Sequence, residues 1–317
     1  MLSDGGTVHE STAVSHPIRL VQSGPAGGVQ ATTVIGGLAG EPDVLCFDMG
    51  GTTAKACLID AGEPLRTTEF EVARVYRFKK GSGLPLRIPV IEMIETGAGG
   101  GSIAQLDHLG LVQVGPESSS ADPGPACYGR GGQRATVTDA DLVLGYLAAD
   151  SFLGGDMHLD ASAAKQALTK NLGEPLGVSA IEAAWAVHET VNENMAQAAS
   201  IHALEKAKNI TGYAMLPLGG AGPVHACNIA MKLSLPRVIC PLSAGVASAL
   251  GFLVSPTAFT FVQGGVVSLK ELDFGAVGQM LNAMEESGRK LLLAAGISAE
   301  QVHVEHVVAM RYVGQGY

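Results

Sequence analysis

The sequence predicts an α/β fold in which a mixed sheet carries flanking helices and a glycine-rich loop insertion. Two successive stretches, YAMLPLGGAGPVHACNIAMKLSL from 213 and RVICPLSAGVASALGFLVS from 237, run from an apolar strand through a glycine turn into a helix. Such alternation is typical of an α/β sheet. Glycine supplies 42 of 317 residues, about twice its usual share, so many backbone positions need a positive φ or a close approach. This composition favours a ligand site built from loops.

The pattern of apolar residues predicts the elements of the first half in chain order. Residues 23–38 are expected to form a helix with glycine-rich ends, and VLCFDMGG at 44–51 a short buried strand. Strands of an antiparallel run are expected at 56–60 and 70–78. Residues 97–132 are rich in Gly, Pro and Ser, and a loop of this length is usually functional or disordered. Its interleaved apolar pieces favour an ordered loop.

The second half contains two predicted amphipathic helices. The first runs from Ser179 to about 208, where Ser179 and Glu182 have the spacing of a capping box. Its apolar stripe, which we expect in the core, consists of Ile181, Trp185, His188, Val191, Met195, Ala198 and His202. The second helix covers 272–296, and VHVEHVVAMRYVGQGY after it is expected to begin a strand. On that strand His303 and His306 would point to opposite faces, which argues against joint metal binding.

Charge and composition exclude several classes of function. The net charge of -10 disfavours nucleic acid, because binding a phosphate backbone requires a basic surface. No long uninterrupted apolar stretch predicts a membrane span, and the first residues lack the pattern of a signal peptide. We therefore expect a cytoplasmic protein. The five cysteines are widely spaced and form no CxxC pair, which indicates neither a disulfide framework nor a structural zinc site.

The segment FDMGGTTAK at 47–55 is the sharpest chemical signal. An apolar strand ends at Asp48 and turns through Gly50, Gly51, Thr52 and Thr53, which gathers a carboxylate, backbone N–H groups and hydroxyls around one point. A phosphate with its Mg²⁺ needs these groups. A tight hairpin in which Asp48 accepts turn N–H bonds explains the same residues equally well. The sequence has no GxxxxGK[ST] and no GxGxxG after a strand, so neither a P-loop nor a dinucleotide fold is predicted.

The segment LGGAGPVHA at 218–226 is the second signal. Gly219, Gly220 and Gly222 leave room for a flat or phosphorylated ligand at a helix N-terminus, where the dipole favours anions. A plain glycine-rich turn is the alternative. Because each signal follows a strand, where open α/β sheets bind ligands, we expect Asp48 and Gly220 to share a crevice.

Several motifs together resemble the hydantoinase A/5-oxoprolinase family across nearly the whole chain. They are SGPAGGV at 23–29, FDMGGTTAK, ETGAGGGSIA at 95–104, VGPESSSADPGPACYGRGG at 114–132, TVTDADLVLG at 136–145, LPLGGAGPVHA and SAGVASALG. The resemblance implies an actin-like ATPase built on a ribonuclease-H-like fold. It implies an ATPase domain at 23–260, preceded at 1–22 by the tail end of an upstream lobe and followed at 261–317 by the start of a truncated C-terminal domain.

The resemblance also implies an activity. Family members use ATP, with Mg²⁺, to phosphorylate a carbonyl or amide oxygen of a small cyclic amide, and a hydantoinase B-type partner subunit or domain completes the hydrolysis. The phosphorylated oxygen is a far better leaving group, so the protein mainly supplies positioning and charge stabilisation. An oligomer is expected. The alternatives are the ATP-binding subunit of an acetone-type carboxylase and a non-catalytic isolated domain.

The family's roles carry over to specific positions. Asp48 would lie near Mg²⁺ as a catalytic residue and metal ligand, together with catalytic Thr52 and Thr53. The positions expected to bind the nucleotide are Gly50, Gly51 and Thr52 at the phosphates and Gly219, Gly220 and Gly222 on the adenosine side. Gly99, Gly100 and Ser102 could bring backbone donors to the substrate, although a packing turn beneath the sheet explains them equally well. SGPAGGV and SAGVASALG resemble the two helices that connect the lobes.

The chain departs from the family pattern in a few places. The first phosphate loop, another acidic-Gly-Gly-Thr turn, is missing upstream, and no apolar strand precedes the DGGT at 4–7. We therefore expect half of the nucleotide cleft to be absent and the isolated chain to bind ATP weakly. Ser119, Ser120 and Asp141 replace the expected Ala, Gly and Asn. Other candidates for acid, base or metal-ligand roles, most of them expected to be turn acceptors, are Asp107, His108, Asp122 and Asp139. His225 is expected to be a satisfied capping histidine.

Overall fold

A six-stranded mixed sheet forms the centre of the protein, as predicted. The computed structural model describes residues 1–72 and 81–315, so the later part of the strand predicted at 70–78 lies outside the described residues. The described strands are β1 Val44–Met49, β2 Ala54–Asp60, β3 Glu63–Pro64, β4 Arg66–Thr67, β5 Phe70–Val72, β6 Leu84–Leu86, β7 Val90–Ile91, β8 Ile94–Thr96, β9 Ser102–Leu106, β10 Val112–Ser118, β11 Ala214–Leu218 and β12 Arg237–Val238.

The sheet has the strand order β12–β11–β1–β2–β3, and β8 also pairs with β2. Strand β1 is parallel to β11, and β11 is parallel to β12. Strand β2 is antiparallel to β1, β3 and β8. In this register Asp48 on β1 lies opposite Leu218 on one side and Lys55 on the other. The sheet is therefore parallel on one side of β1 and antiparallel on the other.

Nine α-helices are described. They are α1 Glu10–Ser15, α2 Ser23–Leu38, α3 Val137–Val143, α4 Ala161–Leu168, α5 Glu174–Leu176 after a π-helical turn, α6 Ala180–Glu205, α7 Gly222–Lys232, α8 Ala247–Val254 and α9 Phe274–Ala294. The helix predicted at 23–38 is α2, and the capping box predicted at Ser179 and Glu182 begins α6. None of the helices in the described residues is both long and apolar enough to cross a bilayer.

The two faces of the sheet are covered by different helices. Leu45, Phe47 and Met49 of β1 lie in one apolar cluster with α6, which contributes Val187, Val191 and Met195 among others. Val44 and Cys46 lie in a second cluster with Ala26 and Val29 of α2 and Ala247 of α8. Because successive side chains of a strand point to opposite faces, Asp48 lies on the α2–α8 side.

The predicted core stripe of α6 is wrong at two positions. Ile181 is 61% exposed and Trp185 is 47% exposed, whereas His188, Val191, Met195, Ala198 and His202 are buried as expected. The buried face at the start of the helix consists instead of Ala180, Ala183, Ala184 and Val187. These small residues allow close packing, so the larger neighbours one position along turn outward.

The long loop region at 97–132 is ordered, in agreement with the sequence. It contains an antiparallel hairpin of β9 and β10, which composition did not predict, and a short 3-10 helix at Ala126–Tyr128. The backbone N–H of Ala104 also donates to the carbonyl of Ala135, which attaches the hairpin to the start of α3. The region is therefore part of the folded core.

The last part of the described chain differs from the rest. The helix predicted at 272–296 is α9, but the strand expected after it does not form, because no described strand pairs with residues 302–313. The prediction that His303 and His306 face opposite sides of a strand therefore fails. His306 instead lies near Glu285 of α9, with 3.5 Å between Nε2 and Oε2. Residues 261–315 contain no buried side chain.

Candidate functional site

The two glycine turns meet at one edge of the sheet. Strands β1 and β11 are parallel neighbours, so the turns after Met49 and Leu218 leave from the same edge. The N–H of Ala221 donates to the carbonyl of Met49 over 3.1 Å. A Cβ atom added at Gly219 would lie 2.6 Å from Oδ1 of Asp48. Asp48 and the 219–221 turn are thus in direct contact despite their separation in sequence.

Asp48 presents a carboxylate without a partner. Within the described residues it accepts no hydrogen bond and forms no ion pair, although it is half-buried. Burial raises the pKa of this carboxyl above its usual value, and the nearby Lys55 ammonium partly opposes that rise. An anionic oxygen that is poorly solvated and unpaired is a favourable ligand for a cation.

The turn after β1 is a tight hairpin, closed by a 3.1 Å bond from Gly50 N–H to the Thr53 carbonyl. A Cβ atom added at Gly50 or Gly51 would meet no atom of the described residues within 4 Å. Gly51 and Thr52 are exposed. The turn therefore leaves open space beside Gly50 and Gly51, just after the end of β1, which a bound group could fill. The simple-hairpin alternative requires Asp48 to accept the N–H groups of the turn, and Asp48 accepts none of them.

Lys55 lies on the antiparallel side of this turn. Its ammonium donates to the Thr53 hydroxyl over 3.0 Å and to Glu95 over 2.9 Å. Because the Thr53 oxygen accepts this bond, its own proton remains free to point elsewhere. The Lys55 ammonium group is therefore held near Asp48 without forming an ion pair with it.

A second glycine segment braces the hairpin turn from below. Gly100 and Gly101 donate their N–H groups to the carbonyls of Gly50 and Gly51 over 3.0 and 2.7 Å. A Cβ atom added at Gly99 would lie 2.6 Å from the Thr52 nitrogen, so only glycine fits this approach. The braces therefore fix the backbone of the turn.

The brace is itself anchored. Ser102 Oγ accepts the Gly99 N–H over 2.8 Å, and the Gly100 carbonyl accepts both the N–H and the hydroxyl of Thr138, each over 2.8 Å. Gly99, Gly100 and Ser102 are buried. These bonds are those of the packing-turn alternative, and substrate contact at these three positions stays a prediction.

The 219–222 turn combines one tightly packed glycine with one open glycine. Gly219 has φ +78°, and a Cβ atom there would collide with the Met49 carbonyl oxygen, whereas Gly220 has open space around it. Gly222 is buried at the first position of α7. The Gly219 N–H donates to Ala244 over 3.0 Å, which ties the turn to the segment before α8. The open side at Gly220 faces solvent and could receive a ligand.

Helices α2 and α8 pack together beside Asp48, a pairing that sequence analysis did not detect. A Cβ atom at Gly251 would collide with the Gly27 carbonyl, so the two backbones touch. One at Gly28 would lie 3.3 Å from Oγ of Ser248 and 3.5 Å from Oδ2 of Asp48. The motifs SGPAGGV and SAGVASALG thus lie against each other and beside the Asp48 carboxylate.

The remaining candidate residues are dispersed. Asp107 is a turn acceptor that binds the N–H groups of Leu109 and Leu111, and His108 and Asp122 are exposed. Asp139 is buried, closes the capping box with Thr136, and accepts the N–H groups of Ala126 and Cys127. The sequence predicts a capping role for His225, and this prediction is wrong. It is fully buried between Asn192 and Asp141.

The chain was compared with protein families and with known proteins. A family model described as Hydantoinase/oxoprolinase matches residues 1–260. Caprolactamase subunit alpha of Pseudomonas jessenii is 32% identical over 316 residues, which are 99% of this chain and 44% of that protein.

Two solved structures are also similar. A nucleotide-free acetone carboxylase structure, from work on the mechanism of ATP-dependent acetone carboxylation, has a TM-score of 0.75 and 28% identity, covering 95% of this chain and 42% of its own. The crystal structure of ATP-dependent caprolactamase from Pseudomonas jessenii has a TM-score of 0.74 and 32% identity, covering 92% of this chain and 41% of its own. The chain therefore spans less than half the length of the proteins it resembles.

Proposed function

Because the chain belongs to the hydantoinase/oxoprolinase family, we propose that it is the ATP-using part of an enzyme that phosphorylates a carbonyl or amide oxygen of a cyclic amide. The observation that carries this proposal is the unpaired Asp48 carboxylate at a sheet edge where two open glycine turns meet. The similarity to an ATP-dependent caprolactamase supports a cyclic amide as the substrate.

The residues at this edge fit a nucleoside triphosphate with Mg²⁺. Asp48 would hold the cation, which would stabilise its poorly solvated charge, and Gly50, Gly51 and Thr52 would surround the phosphates. The adenosine side would lie against the turn of Gly219, Gly220 and Gly222. When bound, ATP supplies the phosphoryl group that activates the substrate oxygen.

The chain itself contributes rigid positioning. The bonds from Gly100 and Gly101 fix the backbone of the hairpin turn, so its N–H groups need no reorganisation when a phosphate arrives. The Thr53 hydroxyl, whose oxygen already accepts from Lys55, can donate its proton toward a phosphate oxygen. Asp48, Thr52 and Thr53 are therefore the residues that we propose to act in catalysis.

The organisation of the whole protein is also proposed. An actin-like ATPase fold at 23–260 is supported by the family match, which ends at 260, and by the lack of buried side chains at 261–315. Residues 1–22 would end an upstream lobe, and 261–317 would begin a further domain. A hydantoinase B-type partner is supported by the naming of the caprolactamase relative as a subunit. A cytoplasmic location stays a prediction.

A second candidate is the ATP-binding subunit of an acetone-type carboxylase. The likeness to the acetone carboxylase structure, with a TM-score of 0.75 against 0.74 for caprolactamase, favours neither over the other. The phosphoryl transfer at this edge would be of the same kind in both cases: an amide oxygen would take the γ-phosphoryl group as the N–H proton is lost, a ketone oxygen would take it as an α-proton is lost, and ADP would leave. The substrate therefore has to be identified by experiment.

The test is phosphate release from Mg·ATP by the whole protein, purified with any subunit that co-purifies, against a panel of lactams, hydantoins and ketones with bicarbonate. We expect release that depends on a lactam or hydantoin. Asp48→Asn should reduce turnover about 100-fold or more, while the matched control Asp43→Asn should retain it. Asp43 lies just before the opposite end of β1, where its carboxylate accepts the Ala61 N–H over 2.7 Å.

The outcomes separate the candidates. Release that depends on a ketone and bicarbonate would identify the carboxylase alternative. Full turnover in Asp48→Asn would refute the proposed metal site, and no release with any substrate would favour a non-catalytic domain.

A further inference from the structure

Three titratable side chains meet inside the protein, away from the sheet edge. Asp141 on α3, His188 on α6 and His225 on α7, here named the His–Asp cluster, are 2%, 0% and 0% exposed. One potential ligand atom of each lies within 4.8 Å of the others. The proposed phosphorylation chemistry uses none of the three.

The cluster is compact and enclosed. His188 Nδ1 lies 2.8 Å from one Asp141 carboxylate oxygen, and His225 Nε2 lies 3.2 Å from the other. The two imidazoles are stacked with 4.9 Å between ring centroids, and Tyr146 stacks on the outer side of His188 at 4.7 Å. Both histidines therefore direct a nitrogen toward the same carboxylate.

The hydrogen bonds around His225 leave buried atoms unsatisfied. Its Nδ1 lies 2.8 Å from Asn192 Oδ1 and donates to it, so in the neutral ring Nε2 has a lone pair. In that form the lone pair faces Asp141 Oδ2, and neither Nε2 nor the Asn192 Nδ2 has a hydrogen-bond partner among the described residues. Turning the Asn192 amide around leaves its oxygen unpartnered instead. Buried polar atoms without partners are costly, and a positive charge between Nε2 and Oδ2 would remove the conflict. A second ring proton or a metal cation could supply that charge, and the metal-binding test below distinguishes them.

We propose that the His–Asp cluster is a site for a divalent cation of the zinc class, bound by the Asp141 carboxylate, His188 Nδ1 and His225 Nε2. Two imidazoles and one carboxylate are a donor set that zinc takes, with a fourth position left for water. Metal–ligand bonds of about 2.0–2.2 Å at tetrahedral angles separate neighbouring ligand atoms by about 3.3 Å. His188 Nδ1 lies 2.8 Å from Oδ1 of the carboxylate and His225 Nε2 lies 3.2 Å from Oδ2, and one ligand atom of each residue lies within 4.8 Å of the others. A cation between them therefore needs only a small rearrangement of these side chains.

The surroundings supply the outer partners of a metal site. Metal-bound histidines usually engage their second ring nitrogen in a hydrogen bond, which fixes the ring. Here Asn192 binds Nδ1 of His225, and Asn228 lies 2.9 Å from Nε2 of His188. A half-turn of the Asn228 amide presents its oxygen to an N–H at that position. Both rings are thus oriented from outside the cluster.

A cation at this position would join three helices that support the sheet edge. Helix α3 holds Gly100 through Thr138 near its first turn, and α7 begins at the 219–222 turn. The cation would therefore be structural, fixing the supports of the two glycine turns relative to each other. The proposal does not depend on the substrate of the enzyme.

The test is metal binding by the complete, metal-stripped protein, with Zn²⁺ and Co²⁺ as probes. We expect one Zn²⁺ ion per chain, a rise in melting temperature on adding Zn²⁺, and visible absorption of the Co²⁺ form that indicates nitrogen and oxygen ligands. His188→Gln and His225→Gln should each weaken binding about 100-fold or more. His202→Gln, at another buried histidine of α6 outside the cluster, should bind like the unaltered protein.

Each outcome decides the question. Absence of Zn²⁺ binding to the unaltered protein, or tight binding that persists in both glutamine variants, overturns the proposal. If the glutamine variants do not fold, Asn192→Ala decides, because it keeps all three ligands and removes only an outer partner. A loss of roughly tenfold in Zn²⁺ affinity supports the site, and unchanged affinity overturns it. Phosphate release is not part of the readout, so failure here is distinct from failure of the proposed enzyme activity.

Discussion

Asp48 and Asp141 are carboxylates in opposite kinds of environment. Asp48 lies one residue before the end of β1 at an open edge and has no bonded partner among the described residues, and burial raises its pKa. Burial acts on Asp141 in the same direction, but His225 and His188 outweigh it and lower the pKa of that carboxyl. The unpaired carboxylate remains free for a ligand, whereas the paired one stabilises its surroundings. Stability and activity should therefore depend on different residues.

The largest effect is expected when the enclosed carboxylate is removed. Asp141→Ala leaves two buried imidazoles without their shared partner, which should lower the free energy of unfolding by about 3–5 kcal/mol. Urea denaturation of the variant and the unaltered protein measures the difference. A loss below about 1 kcal/mol would mean that the cluster contributes little to stability, and the contrast with Asp48 would disappear.

The next effect separates two adjacent glycines at the open edge. In Gly219→Ala the added methyl group meets the Met49 carbonyl at a φ of +78°, so a loss of about 2–3 kcal/mol is expected. Gly220→Ala, with nothing within 4 Å, should stay within about 0.5 kcal/mol of the unaltered protein. Thermal unfolding of the pair gives the comparison, and equal losses would contradict the packing described.

A larger substitution in the 219–222 turn tests its role in ligand binding rather than in stability. Gly220→Val should fold normally yet weaken ATP binding of the whole protein at least about tenfold, because the side chain would occupy the ligand side of the turn. Calorimetric titration with Mg·ATP measures this. Unchanged ATP affinity would show that the nucleotide does not contact Gly220.

A smaller effect is expected at the anchor of the brace. Thr138→Val removes the buried hydroxyl bond to the Gly100 carbonyl and should lower the free energy of unfolding by about 1–2 kcal/mol. Thr33→Val, which removes only a bond to the Val29 carbonyl within α2, is the matched control and should change stability less. Chemical denaturation of both variants provides the measurement, and a larger loss in the control would reverse the interpretation.

The smallest effect on stability is expected at Asp48. Because its folded pKa is raised, this group favours folding below its unfolded pKa, and that contribution is lost as pH rises through the folded pKa. Near neutral pH the ionised carboxylate therefore opposes folding. Asp48→Asn should leave the melting temperature equal to or above that of the unaltered protein. A clear decrease would indicate a structural role for the carboxylate.

Local patterns predicted most of the framework. Helix α2, the capping box of α6 and the strand β1 that contains Asp48 all follow from spacing and short-range chemistry. Family membership, inferred from the motifs, is confirmed by the match over 1–260. The contact between the turns after β1 and β11 could also be anticipated, because parallel neighbouring strands end at the same edge.

What the sequence did not predict depends on contacts between distant segments. The alternation in VHVEHVV predicts a strand, but a strand also needs a partner, and none is present among the described residues. Trp185 fitted the apolar stripe of α6, yet small alanines beside it form the packed face. Composition likewise concealed the β9–β10 hairpin within a Gly/Pro-rich region.

The His–Asp cluster was hidden for a related reason. Its members come from three helices, and His188 fitted the apolar stripe by spacing alone. A histidine at a core position was the only available signal, since buried histidine is less common than a buried aliphatic residue. The sequence has Asp141 where the family pattern has asparagine, but nothing in the linear sequence connects that position to the two histidines.

The close contact between α2 and α8 determines how a substitution in one helix affects the surroundings of Asp48. At Gly27 and Gly251 the two main chains touch with no side chain between them, and Ser248, one turn earlier on α8, lies beside Gly28 and Asp48. A larger residue at position 251 would therefore push α8 away from α2 and displace the Ser248 hydroxyl. A substitution that touches no ligand would thus still alter the surroundings of the Asp48 carboxylate.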